Sequence, residues 1–153
     1  QSLHGLGRSV LLIDGDIRAG GLSRHCSGPP VKALGLVLRE EATLEEGIQN
    51  IGGYGLDALL CDDSDPAPSD LFASDCFKRL IEKARQAYDT VIIDTPPILL
   101  APTGGIVAEQ ANATLLTVQS DRTGRGTVEE ALRVFRNSGQ SITGTVFNQA
   151  RAG

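Results

Sequence analysis

Val10-Leu11-Leu12-Ile13-Asp14-Gly15-Asp16-Ile17-Arg18 (VLLIDGDIR) is the stretch on which the fold turns. With Ser9 ahead of it, the run Ser9 to Asp14 is continuously apolar until a carboxylate and a glycine close it. A strand with one wet face would alternate polar and apolar residues, so an unbroken run of this length reads as a strand covered on both faces, as in parallel sheets. Three more runs have the same character: Leu56 to Leu60 (LDALL), Thr90 to Asp94 (TVIID) and Ala113 to Val118 (ATLLTV). Ile142 to Phe147 (ITGTVF) is a weaker fifth.

Helical patterns separate these runs. Thr43 and Glu46 have capping-box spacing ahead of Ile48, and Phe77, Leu80, Ile81 and Ala84 recur on one helical face. Thr127 and Glu130 predict a second box before the stripe Val128, Ala131, Leu132 and Phe135, with Gly139 as the stop. Strands that alternate with helices build βαβ units, whose parallel strands require helical crossovers. The predicted fold class is therefore α/β, a doubly wound, mostly parallel sheet with helices on both faces, in a single domain over residues 1–153. Cys61 to Ser69 (CDDSDPAPS) reads as an exposed loop.

The 153 residues are enough for a full hydrophobic core, and 41% hydrophobic with 22% charged residues excludes a disordered chain or a disulfide scaffold. The 14 basic and 19 acidic residues give a net charge of −5 with no long block of one sign, so nothing marks an electrostatic footprint for nucleic acid or an anionic membrane. Cys26, Cys61 and Cys76 have neither metal nor redox spacing and read as reduced, inert thiols of a cytosolic protein. No apolar run reaches the roughly 18 residues that cross a bilayer. The start at Gln1 and the lack of methionine lead us to expect a piece of a longer protein. His4 and His25 are isolated and read as surface residues, as do Arg122 and Arg125 in SDRTGRGT.

In open α/β sheets ligands bind beyond the carboxyl ends of the strands, which singles out two places. Asp14 and Asp16 are two positions apart, so in extended chain they face the same side. Asp94 and Thr95 close the second run, and Pro96 and Pro97 stop it. Carboxylates and a hydroxyl at such ends suit Mg²⁺, which keeps several waters and takes one or two carboxylates plus substrate phosphate. Asp14-Gly15-Asp16 also suits an ordinary turn, and Asp94-Thr95-Pro96-Pro97 an ordinary strand exit.

VLLIDGDIR resembles the Walker A′ motif of the bacterial tyrosine kinases, and Val91 to Pro97 (VIIDTPP) resembles their Walker B motif. These are cytoplasmic ATPase-fold domains of capsular and exopolysaccharide biosynthesis, within the MinD/ParA-like P-loop class. Leu36 to Ile48, Asp65 to Leu80 and the element order as far as Asn148 are similar to the family too. The resemblance implies a protein-tyrosine autokinase that uses ATP and Mg²⁺. Asp14, Asp16 and Asp94 would serve the metal, with Asp16 or Asp14 as base for the attacking tyrosine. Arg18, Thr95 and Asn148 would contact the nucleotide.

The implied partners are a homo-oligomer, in which one subunit's tyrosine tail is the next subunit's substrate, and a membrane polysaccharide co-polymerase or activator that holds the domain at the inner face of the membrane. No nucleic acid is implied. Two other functions stay open: a MinD/ParA-type ATPase switch, and a non-catalytic scaffold of the export machinery. The sequence departs from the family in three ways. It contains no GKS or GKT, it has only Tyr54 and Tyr88 in place of a tyrosine cluster, and Thr103 stands where the family usually carries an Asp. The phosphate-binding loop is accordingly expected upstream of Gln1.

Overall fold

In the computed structural model, which describes residues 7–16, 22, 33–51, 56–61 and 69–149, each of the five apolar runs forms a strand that begins and ends within two residues of its predicted bounds. The chain divides into two compact units, Gln1–Pro96 and Pro97–Gly153.

The first unit contains β1 (Val10–Asp14), α1 (Leu34–Leu38), α2 (Leu44–Gly47), β2 (Ile48–Ile51), β3 (Leu56–Leu59), α3 (Ser69–Phe72), α4 (Asp75–Ala87) and β4 (Thr90–Asp94). Its four strands lie in the order β2-β3-β1-β4. β1 is parallel to both β3 and β4, as unbroken apolar runs require, and only β2 is antiparallel. The fold is the expected mostly parallel α/β architecture.

Packing follows from the patterns. Leu11, Ile13, Leu34, Leu38, Leu59, Leu60 and Phe77 are fully buried, each contributing roughly 1.5–3 kcal/mol of transfer free energy. The predicted face of α4, Phe77, Leu80, Ile81 and Ala84, is the buried one. Ser74 caps this helix by accepting a hydrogen bond from the Phe77 amide at 3.3 Å. At its other end the Tyr88 hydroxyl donates to Asp57 on β3 at 2.8 Å. Burial, and then the bond to the Asp57 carboxylate, push that phenol up to about 12.

In this unit the capping-box signal is borne out on a short helix, and one loop assignment needs correction. The Thr43/Glu46 capping box forms in both directions, at 2.9 and 3.2 Å, but the helix it starts lasts one turn. Gly47 ends it, and Ile48 opens β2, because the segment bounded by the β-branched Ile48 and Ile51 finds a ladder partner along β3. The exposed loop assigned to 61–69 is wrong at both ends: Cys61 is buried and Ser69 begins α3, while 62–68 lie outside the described residues.

The second unit contains α5 (Thr103–Ala108), β5 (Leu115–Gln119), α6 (Arg125–Asn137) and β6 (Gly144–Asn148). β5 and β6 pair in parallel, with α6 in the connection between them. α6 does not start at the predicted Thr127/Glu130 box. Gly124, in extended conformation, takes the cap position, and Arg125 in the first turn pairs with Glu129 at 2.8 Å. Gly139 stops the helix as predicted, at φ +72°, with its own amide donating to Arg136 and the Gln140 amide donating to Phe135.

Candidate active site

The strand order reverses at β1. After β1 the chain lays β3 on one side of it and then β4 on the other, and the crevice beyond the carboxyl ends at such a switch point is where open α/β sheets bind ligands. Asp14 and Asp94 are the last residues of the two strands that meet there, and they are direct register partners. Eighty residues of sequence separate them, and the parallel ladder brings them together.

Asp14 is fully buried. Its carboxylate accepts the Asp16 amide at 3.2 Å, so the Asp-Gly-Asp segment is a turn of the kind its composition suggests, built directly onto the strand end. The carbonyl oxygen of Asp14 accepts the Cys61 thiol at 2.8 Å from the end of β3. Between the two carboxylates, the Gly15 amide donates to the Asp94 carbonyl at 2.9 Å and extends the β1/β4 ladder by one bond.

Asp94 is exposed. Its carboxyl is held above the ordinary carboxylate range, first by partial loss of water at the sheet's edge and then by the negative charges of Asp14 and Asp16, while the Thr95 amide acts in the opposite direction. A carboxyl whose ionisation is opposed by its neighbours' charge is suited to a cation. Among the described residues, no three His, Cys, Asp or Glu side chains converge closely enough to ligate one ion directly. The arrangement fits a hydrated ion contacted through its waters and by one or two carboxylates.

The other sequence-predicted residues are less concentrated. Thr95 directly follows Asp94 and is partly buried. Asn148 ends β6 in the second unit, where its side-chain oxygen accepts the Gln149 amide at 2.9 Å. Thr103 is buried as the first residue of α5. Arg122 is exposed in a turn, and Arg125 belongs to α6 instead of the preceding loop. Arg18, His4, His25, Cys26 and Tyr54 lie outside the described residues. Among the described residues, no helix is long and apolar enough to cross a membrane. A cleft of about 280 Å³ lined by Thr43, Cys76, Arg79 and Lys83 lies away from the paired carboxylates, so concavity alone does not locate the chemistry.

Sequence reasoning missed Cys61 and the pair Ser9 and Asp89, which joins β1 to β4 at the opposite end of the strands. A signal was present for the pair: each residue stands immediately before its strand and five positions before that strand's terminal Asp.

No protein-family profile matches the chain. It is 30% identical over 141 residues to the tyrosine-protein kinase ptk of Acinetobacter johnsonii, covering 92% of this chain and 19% of that protein. The chain thus spans about a fifth of the length of this curated relative. Among solved structures it superposes on the VpsO kinase domain with a TM-score of 0.88 at 26% identity, over 98% of this chain and 74% of that one. Cobyrinic acid a,c-diamide synthase from Mycobacterium smegmatis, solved with an ATP analogue and magnesium, gives a TM-score of 0.73 at 19% identity over 94% of this chain and 61% of its own, a likeness of fold alone.

Proposed function

Because this chain belongs to the bacterial tyrosine-kinase family, we propose that it is part of the catalytic domain of a protein-tyrosine autokinase, and that Asp14, Asp16 and Asp94 form its Mg²⁺·ATP site. The observation that carries the proposal is the register pairing of Asp14 with Asp94 at the switch point of the sheet.

In this mechanism Asp14 and Asp94 are the residues that would hold the hydrated cation. A Mg²⁺ held there would supply positive charge for phosphoryl transfer. The ladder to β4 and the Cys61 thiol hold the backbone of Asp14, and the Asp16 amide holds its carboxylate. Asp16, one turn further out and only partly buried, can accept the proton of an incoming tyrosine hydroxyl on a carboxylate oxygen. Thr95 offers a hydroxyl beside Asp94, and Arg18 and Asn148 are proposed as nucleotide contacts.

The proposed substrate is the tyrosine tail of a neighbouring subunit. The proposed setting is capsule or exopolysaccharide export at the inner membrane face, with a membrane co-polymerase as partner. Purified full-length protein given γ-labelled ATP and Mg²⁺ should acquire phosphotyrosine. Release of inorganic phosphate with no phosphotyrosine would instead identify an ATPase switch, and neither product would identify a scaffold.

A further inference from the structure

The runs that form β1 and β4 are apolar on both faces, so their side-chain pattern specifies register weakly. A slip of two residues would keep every side chain on its original face, yet it would move Asp94 along Asp14 by roughly 6.6 Å. Some other feature must hold Asp14 opposite Asp94, and it lies at the far end of the strands. The Ser9 amide donates to Asp89 Oδ2 at 2.9 Å, and the Ser9 hydroxyl donates to the same oxygen at 2.9 Å. In return the Asp89 amide donates to Ser9 Oγ at 2.9 Å, and the Thr90 amide donates to the Ser9 carbonyl at 3.1 Å. Arg8 adds an ion pair to Asp89 at 3.4 Å. The residues are joined reciprocally, backbone to side chain in both directions, which fits one register only.

We infer that Ser9 and Asp89 are positioning residues for the metal site, locking β1 against β4 so that the carboxylates five residues further along each strand meet. This rests on the reading of Asp14 and Asp94 as the cation site. The bonds at Asp89 also draw its carboxyl below the ordinary range, with the Ser9 amide as the largest cause, so the carboxylate is charged and accepting at neutral pH. Ser9, Arg8 and Asp89 are all solvent-exposed. Exposed bonds of this kind add little to global stability, so the clamp should act on alignment more than on melting temperature.

The test uses the full-length protein, with Mn²⁺ binding followed by electron paramagnetic resonance and amide exchange read at Gly15, whose N–H bonds to the Asp94 carbonyl. Asp89→Ala should weaken Mn²⁺ binding about fivefold, the scale of one hydrogen bond's net contribution, and should speed exchange at Gly15 while the melting temperature stays close to that of the parent. Asp89→Asn keeps an acceptor oxygen and should restore both values. Ser9→Ala, the milder change, should shift both in the same direction as Asp89→Ala. Asp94→Asn separates the two ideas: if it abolishes Mn²⁺ binding while Asp89→Ala and Ser9→Ala leave binding and Gly15 exchange unchanged, the clamp is overturned and the site stands. If Asp94→Asn leaves Mn²⁺ binding intact, the site reading fails and the clamp's role falls with it.

Discussion

Gly15 lies so close to Asp94 that its amide donates to the Asp94 carbonyl at 2.9 Å, while a Cβ built on Gly15 would stand 2.6 Å from that same oxygen. The atom in the way is backbone at the end of β4, and the ring of Phe72 lies behind it at 3.6 Å, so there is no flexible side chain to yield. Glycine at this place lets the two carboxylate-bearing strand ends approach.

Gly15→Val should therefore force β1 and β4 apart at their carboxyl ends, at a cost of about 1–3 kcal/mol typical of overpacking. Denaturant unfolding should show the loss, and Mn²⁺ affinity should fall with it. Unchanged stability and affinity would mean that the strand ends are looser than the 2.9 Å bond implies.

Asp94 makes a prediction about pH. Its pKa is raised in the fold by partial desolvation and by Asp14 and Asp16. A carboxyl raised above its unfolded value contributes stability that is present below the unfolded pKa and is lost as pH rises through the folded one. At neutral pH the ionised group therefore weakens the metal-free protein. Asp94→Asn should melt higher than the parent at neutral pH without divalent cations, and the difference should shrink as the solution is acidified below the ordinary carboxylate range. Saturating Mg²⁺ should stabilise the parent and not the variant. Thermal melts at several pH values check both signs.

Phe77 tests the core. It is fully buried and meets Phe72 edge-on with ring centroids 5.3 Å apart. Phe77→Ala should cost roughly 3–5 kcal/mol, a large part of a total stability of about 5–15 kcal/mol. Its chemical-denaturation midpoint should fall accordingly.

The carboxylate pair was legible in the sequence because apolar runs closed by Asp mark buried parallel strands, and such strands end where α/β sites form. What joins the pair was not legible. The reciprocal Ser9–Asp89 bonds depend on which strands become neighbours, a property of topology. Cys61 looked like the start of a polar loop because Asp, Ser and Pro follow it, yet its thiol is tucked against the Asp14 carbonyl once β3 lies beside β1. Ile48–Ile51 was hidden behind a genuine capping box: the local signal correctly placed one helical turn, and pairing with β3 then decided the next four residues. The Thr127/Glu130 spacing, by contrast, matched a box that does not form, since Gly124 could take the cap position without a side chain.

The absence of GKS or GKT from the sequence gives a further prediction. Backbone amides and a lysine from such a loop normally provide most of the grip on the phosphates. The 153-residue chain by itself should bind Mg²⁺·ATP too weakly for calorimetry to detect at micromolar concentrations. A well-defined micromolar isotherm would show that Asp14, Asp16, Asp94 and their surroundings recognise phosphate by means other than that loop.

The most direct test of the central claim is phosphotyrosine formation from γ-labelled ATP by the full-length protein, compared with its Asp14→Asn and Asp94→Asn variants at matched folding. If the paired strand ends form the Mg²⁺·ATP site, the parent incorporates label into tyrosine in the presence of Mg²⁺ and each variant loses nearly all of it. Incorporation at the parent's rate by both variants would contradict the account.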